Sequence, residues 1–173
     1  MTKALYLLRH AKSSWADATL SDHDRPLQAK GERRAGRMRD YLAENGIRVD
    51  LVLCSSALRA RQTYDIVAPA LGQAELQIDE RIYGVDVDDA IALLREVDER
   101  YDNVMLVGHD PTLRLLAMTL AMTATGDARD RIDRKFPTSG LAFLTIGDAS
   151  WGALSRGIGH LEAFHVPEDE PVA

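Results

Sequence analysis

The sequence predicts an α/β fold in three layers, a mostly parallel central sheet with helices on both faces. Three apolar runs carry that reading: Ala4–Leu8, Val49–Cys54 and Val104–Val107. Each is near-continuous rather than alternating, as expected of strands buried on both faces in a helix-covered parallel sheet. Each is followed by a stretch with helical spacing, which completes the strand-helix alternation. The chain of 173 residues suits one domain, placed at 1–166, with an acidic, proline-flanked and disordered tail expected at 167–173.

After the first run, 31–44 carries Ala35, Met38, Tyr41 and Leu42 at helical spacing, and Asn45-Gly46 supplies a C-terminal stop. After the second, 57–71 presents Leu58, Tyr64, Ile66 and Val67 before Pro69 and Gly72 end it. After the third, Asp110-Pro111 reads as a cap followed by a first-turn proline, with Leu113, Leu116, Ala117 and Leu120 on one face. A further helix is expected at 88–99, with Ala90, Ile91, Leu94 and Val97 inward. Strands are expected at 141–146 and 151–154, antiparallel at a sheet edge around Gly147-Asp148, and the polar stretch 125–135 reads as a solvated loop.

Composition narrows the function classes. A formal charge of −6 argues against a general nucleic-acid binder. Cys54 is the single cysteine, so no intrachain disulfide framework exists. The apolar run before Arg9 is too short for a signal-peptide core, and 115–124, interrupted by Thr119 and Thr123, is too short for a membrane span. A cytoplasmic protein with neither a nucleic-acid nor a membrane partner is the expectation.

In open α/β sheets, ligands gather beyond the carboxyl ends of the strands. Here the first strand ends in Arg9-His10, the second leads into Ser55-Ser56-Ala57-Leu58-Arg59, and the third ends in Gly108-His109. Two imidazoles and two guanidiniums therefore converge on one sheet edge. Guanidiniums grip a phosphoryl group through paired N–H bonds and offset its charge during transfer. An imidazole beside them has its cation disfavoured, stays neutral and is nucleophilic. His10, fixed by the strand before it, is the expected nucleophile; Arg9 and Arg59 bind the phosphoryl group, and His109 donates to one of its oxygens. Arg61, two residues on, is assigned to the solvent face.

These residues resemble the motifs of the histidine phosphatase superfamily, the group that includes the phosphoglycerate mutases. Leu8-Arg9-His10-Ala11-Lys12-Ser13 is similar to its opening Arg-His-Gly signature, with Ala11 in place of the usual glycine. The segment 55–63, ending Arg59-Ala60-Arg61-Gln62-Thr63, resembles the second arginine motif, and Val107-Gly108-His109 the second-histidine motif. Arg9 to Trp15, with Asp24-Arg25-Pro26-Leu27 before Gly31, is similar to the SixA-type phosphohistidine phosphatases. The resemblance implies a phosphoglycerate mutase-like fold and places Arg25 in the substrate pocket.

Larger members carry a carboxylic general acid between the second arginine motif and the second histidine. That interval is short here and offers only Glu80, Asp86, Asp88 and Asp89, with Glu80 as the candidate and a salt bridge to Arg81 as its ordinary role. Without a clear acid, a phosphoramidate is favoured over an ester, because a protonated imidazole leaves more readily than an alkoxide.

Competing readings are weaker. Cys54 stands one residue too close to Arg59, Cys-x4-Arg with no glycine between, for the Cys-x5-Arg loop of cysteine phosphatases, and reads as a small core residue. His23, Asp22 and Asp24, or His160 and His165, lack recognised metal-ligand spacing. A small-molecule phosphomonoesterase on the same scaffold, and a phosphate-binding regulatory module without turnover, remain as alternatives. The reading adopted is a phosphatase using a phosphohistidine at His10, with no metal or organic cofactor, acting on a phosphohistidine-bearing protein or a small phosphorylated substrate.

Overall fold

A computed structural model describes residues 2–168. A seven-stranded sheet runs in the order β3-β2-β4-β1-β6-β7-β5. The apolar runs are β1 (Lys3–Arg9), β2 (Leu51–Ser55) and β4 (Asn103–Gly108), parallel neighbours at the centre. β3 (Glu75–Asp79) adds parallel to β2 at one edge. On the other side β6 (Leu141–Gly147) and β7 (Gly159–His165) are antiparallel, and β5 (Ala121–Ala124) closes that edge parallel to β7.

Period-two alternation explains why β1 tolerates no polar interior position. Leu5 and Leu7 face one core with Ile91 and Leu94 of α3 (Val87–Arg95), Leu113 and Leu116 of α4 (Thr112–Leu120), and Ile132 of α5 (Ala128–Arg134). Ala4, Tyr6 and Leu8 face a second core with Met38 and Leu42 of α1 (Ala29–Glu44), and Ala60 and Val67 of α2 (Leu58–Val67). These are the two outer layers. α1 stops as expected, Gly46 taking the left-handed φ of +62° just beyond Asn45. Among the described residues no helix is long and apolar enough to cross a membrane.

Four local expectations fail for identifiable reasons. The stretch 125–135 contains α5, because Ala128 and Ile132, one turn apart, are both buried while the polar side chains remain outside. Residues 151–153 form a 3₁₀ turn rather than a strand; the buried Trp151 indole donates to the Tyr101 carbonyl at 2.7 Å, and the Glu99 carboxylate accepts from the amides of Trp151 and Gly152. Pro111, not Asp110, is the N-cap of α4, after a cis peptide bond. The edge placement of 141–146 is the fourth: β6 lies inside the sheet, between β1 and β7. β3, β5 and β7 have no counterpart in the sequence reading; β3 is exposed except at Asp79, so no buried face marks it. Of the expected acidic tail, Pro167 is buried and Glu168 exposed; 169–173 lie outside the described residues.

Candidate active site

The sheet brings the four motif residues together at the carboxyl ends of β1, β2 and β4. The His10 amide donates to the Gly108 carbonyl at 3.0 Å, and the Ser139 amide donates to the His10 carbonyl at 3.1 Å. The His10 backbone is thus pinned from both sides. Its ring lies 5.1 Å from that of His109, centroid to centroid, and its side chain is buried. Nδ1–H donates to the Ala11 carbonyl at 2.7 Å, since a carbonyl can only accept. That fixes the tautomer and leaves Nε2 with the lone pair.

Burial is the main reason His10 is held neutral, its pKa falling to about 3, with the charges of His109, Arg59 and Arg9 adding smaller downward pushes. The outcome matches the sequence expectation, but desolvation outranks the arginines as its cause. His109 is lowered to about 4, again chiefly by burial and then by Arg59. Both imidazoles are neutral at physiological pH.

His109 Nε2 lies 2.7 Å from Ser55 Oγ, which also accepts from the Ala57 amide at 3.2 Å. The Ser55 hydroxyl can donate to Nε2, the arrangement that places the imidazole proton on Nδ1. His109 Nδ1 is buried and has no protein partner.

Each arginine is tethered at its tip. Arg9 Nη1 donates to the Phe136 carbonyl at 2.7 Å. Arg59 Nη1 donates to the Asp22 carbonyl at 2.7 Å and Nη2 to Asp22 Oδ2 at 3.1 Å. In both, Nε is buried without a protein partner. Buried polar atoms are nearly always paired in proteins. Among the described residues the exceptions are Arg9 Nε, Arg59 Nε, His109 Nδ1, Asp110 Oδ1 and Ser139 Oγ, all belonging to the site residues or their immediate neighbours. Arg9 Nε and Arg59 Nε are N–H groups, and His109 Nδ1 is a third when its Nε2 accepts from Ser55, a donor set that suits an oxyanion.

The rest of the second arginine motif ties segments together. Thr63 Oγ1 donates to the Arg59 carbonyl at 2.7 Å and accepts from the Ala11 amide at 2.9 Å, while Gln62 Oε1 accepts from the Leu27 amide at 2.8 Å. Gly31 lets α1 lie directly on the His10 loop; a Cβ there would sit 2.1 Å from the Lys12 carbonyl oxygen. Ala11 is fully buried and is not among the residues with positive φ, so it fits where the family uses glycine.

Arg25 is buried but points its polar atoms elsewhere: Nε donates to Asp22 Oδ1 at 3.1 Å, Nη1 to Ser13 Oγ at 2.8 Å, and the guanidinium stacks 3.5 Å over Trp15. It connects to Arg59 through Asp22. Asp22 also accepts from the Tyr83 hydroxyl at 2.6 Å, and these donors lower its pKa to about 2, so it is a permanent anion rather than an acid. Glu80 is exposed in a 3₁₀ turn, and Arg81 pairs with Asp79 and Glu96, not with Glu80 as the sequence suggested. Arg61 is half-buried instead of solvated, its Nε donating to the Ser56 carbonyl at 3.0 Å. Cys54 is buried and its thiol is pushed up to about 12, which makes it inert. Among the described residues no group of three or more His, Cys, Asp or Glu side chains could hold a metal.

Comparison with known proteins decides the family. The model for histidine phosphatase superfamily (branch 1) matches residues 5–101. The chain belongs to the histidine phosphatase superfamily. An uncharacterized protein of Mycobacterium tuberculosis is 41% identical over 92% of this chain and 99% of its own length; another, of Mycobacterium leprae, is 36% identical over 92% and 99%. Among solved structures, a candidate phosphohistidine phosphatase SixA from Nakamurella multipartitia superposes with a TM-score of 0.84 at 28% identity, covering 96% of this chain and 97% of that one. A second SixA candidate, from Agrobacterium tumefaciens, gives 0.76 at 31% identity, covering 96% and 99%. The phosphoglycerate mutase-like fold and the SixA-type resemblance both stand.

Sequence reasoning missed Ser55, Thr63, Asp22 and the carbonyl of Phe136 as supports of this histidine phosphatase site. Ser55 and Thr63 lay inside a motif that was read only for its arginine. The Phe136 carbonyl has no side-chain signature.

Proposed function

We propose that the protein is a phosphatase that works through a phosphohistidine at His10, without metal or organic cofactor, and that its substrate is phosphohistidine on a signalling protein. The observation that carries this is a neutral His10, its Nε2 free to attack, beside Arg9 Nε, Arg59 Nε and His109 Nδ1, all buried without protein partners. The SixA-type neighbours support the substrate class.

In the first step His10 Nε2 attacks phosphorus and forms the new P–N bond as the bond to the substrate imidazole breaks. The departing electron pair goes to the substrate nitrogen. Because His10 keeps its Nδ1–H on the Ala11 carbonyl, and the substrate ring carries a proton on its own second nitrogen, one imidazole replaces another with no proton relocated. This is why P–N cleavage tolerates a pocket in which Asp22 is a fixed anion and Glu80 is exposed. An alkoxide leaving group would require an acid. In the second step water attacks phospho-His10, the P–Nε2 bond breaks, and both water protons leave with orthophosphate.

Arg9 and Arg59 bind the phosphoryl oxygens through their unpartnered Nε–H groups, and His109 donates from Nδ1. Arg25 belongs to the binding pocket through Asp22, whose grip on it and on Arg59 aligns both guanidiniums. A panel comparing a histidine-phosphorylated protein with p-nitrophenyl phosphate and sugar phosphates tests the assignment. Much faster hydrolysis of the P–N bond is the expected result. A preference for esters overturns it, and Glu80→Gln then becomes the variant to examine.

A further inference from the structure

Ser139 stands out on three counts that the four-residue constellation leaves unused. Among the described residues it is the single non-glycine residue with a positive φ, +63°, a conformation that is strained for a residue bearing a Cβ. It is fully buried, yet its hydroxyl has no protein hydrogen-bond partner. Its amide donates to the carbonyl of His10, so the strained residue is bonded directly to the nucleophile. Either of the first two features is unfavourable; glycine would remove both, since it accepts positive φ freely and has no hydroxyl to leave unpaired. Retention of strain and of an unpartnered polar atom at one residue, touching the nucleophile, is the pattern expected where a side chain serves a ligand.

The surrounding loop holds the residue in place. The Gly140 amide returns to the Pro137 carbonyl at 3.0 Å, the Gly140 carbonyl accepts from the Arg9 amide at 3.0 Å, and the Phe136 carbonyl holds Arg9 Nη1. A Cβ at Gly140 would lie 2.9 Å from the Pro137 oxygen, so the turn is closed tightly around its small residue. Ser139 therefore sits in a segment whose main chain is already committed to Arg9 and His10 on both sides.

We infer that Ser139 is a further phosphoryl-contacting residue: its hydroxyl donates to an oxygen of the bound phosphoryl group, alongside Arg9, Arg59 and His109. The inference rests on phosphoryl transfer at His10 but not on whether the substrate bond is P–N or P–O.

The test uses the full chain with Ser139→Gly and Ser139→Ala, measuring thermal midpoint, turnover of a histidine-phosphorylated protein and of p-nitrophenyl phosphate, and inhibition by inorganic phosphate. Ser139→Gly relieves the strained φ, so its midpoint is expected at or above that of the wild type, while kcat/KM falls roughly 10- to 100-fold, the loss of one hydrogen bond to a charged group. Phosphate inhibition weakens in parallel. Ser139→Ala, which removes the unpaired hydroxyl but keeps the Cβ and the strain, shows the same losses with a smaller gain in midpoint than Ser139→Gly. A glycine or alanine variant that folds and retains wild-type kcat/KM and phosphate inhibition overturns the inference. A wild-type protein that neither turns over substrate nor is competed by phosphate overturns phosphoryl transfer itself, a result distinguishable from failure at Ser139 alone.

Discussion

The parallel half of the sheet, β1 to β4, and the antiparallel half, β5 to β7, both build the site but by different means. The parallel half supplies side chains: His10 and Arg9 from β1, Arg59 after β2, His109 after β4. The loop entering the antiparallel half supplies main chain, with the Phe136 carbonyl on Arg9, the Ser139 amide on His10 and the Gly140 carbonyl on the Arg9 amide. The first half carries the imidazoles and arginines, and the loop entering the second holds them still, the proposed Ser139 hydroxyl being its one side-chain contribution. Substitutions in the first half and at Ser139 should therefore damage turnover more than stability, and other substitutions in the second half the reverse.

The largest effect on turnover is expected at the nucleophile. His10→Ala removes the atom proposed to accept the phosphoryl group and should cost about three orders of magnitude or more in kcat, with the fold retained by circular dichroism. Arg59→Lys comes next: a lysine lacks the planar fork and cannot hold both Asp22 and a phosphoryl oxygen, so kcat/KM should fall about 10²-fold. Ser55→Ala releases His109 Nε2; a smaller loss, on the order of tenfold, should accompany a mixture of His109 tautomers visible by ¹⁵N NMR. Phe136→Ala lies across the divide. Its ring is buried and packs 5.1 Å from Phe164, so about 3–5 kcal/mol of stability should be lost in denaturant unfolding, while folded protein keeps more activity than Arg59→Lys. Comparable turnover losses at Phe136 and Arg59 would erase the division between the halves.

The same division shows in acid. His10 and His109 are neutral in the fold, with pKa values near 3 and 4, whereas the unfolded chain takes up protons near its ordinary value of about 6.5. The unfolded state then binds more protons, so stability is full above pH ~6.5 and declines as pH falls from there towards the folded values. His10→Asn should flatten that decline, measured as urea midpoints at several pH values.

What could be read from sequence follows the same line. β1, β2 and β4 are buried on both faces, so their continuous apolar runs announce them, and their ends announce Arg9, His10, Arg59 and His109. β7 breaks its alternation at Glu162-Ala163, β3 alternates polar and apolar residues over only five positions with no buried face, and α5 rests on little more than Ala128 and Ile132; none leaves a strong signal. Main-chain contributions such as the Phe136 carbonyl leave no residue-type signal at all, because any residue carries a carbonyl. Asp22 was weighed as a metal ligand; its actual role as the anchor of Arg59 depends on a contact between segments 37 residues apart.

The most direct test is to look for phosphate on His10. Mixing the protein with a labelled histidine-phosphorylated substrate and quenching early should trap one acid-labile label per chain, mapped to the peptide containing His10 and missing from His10→Ala. Full turnover by His10→Ala, or label on another residue, would contradict the account.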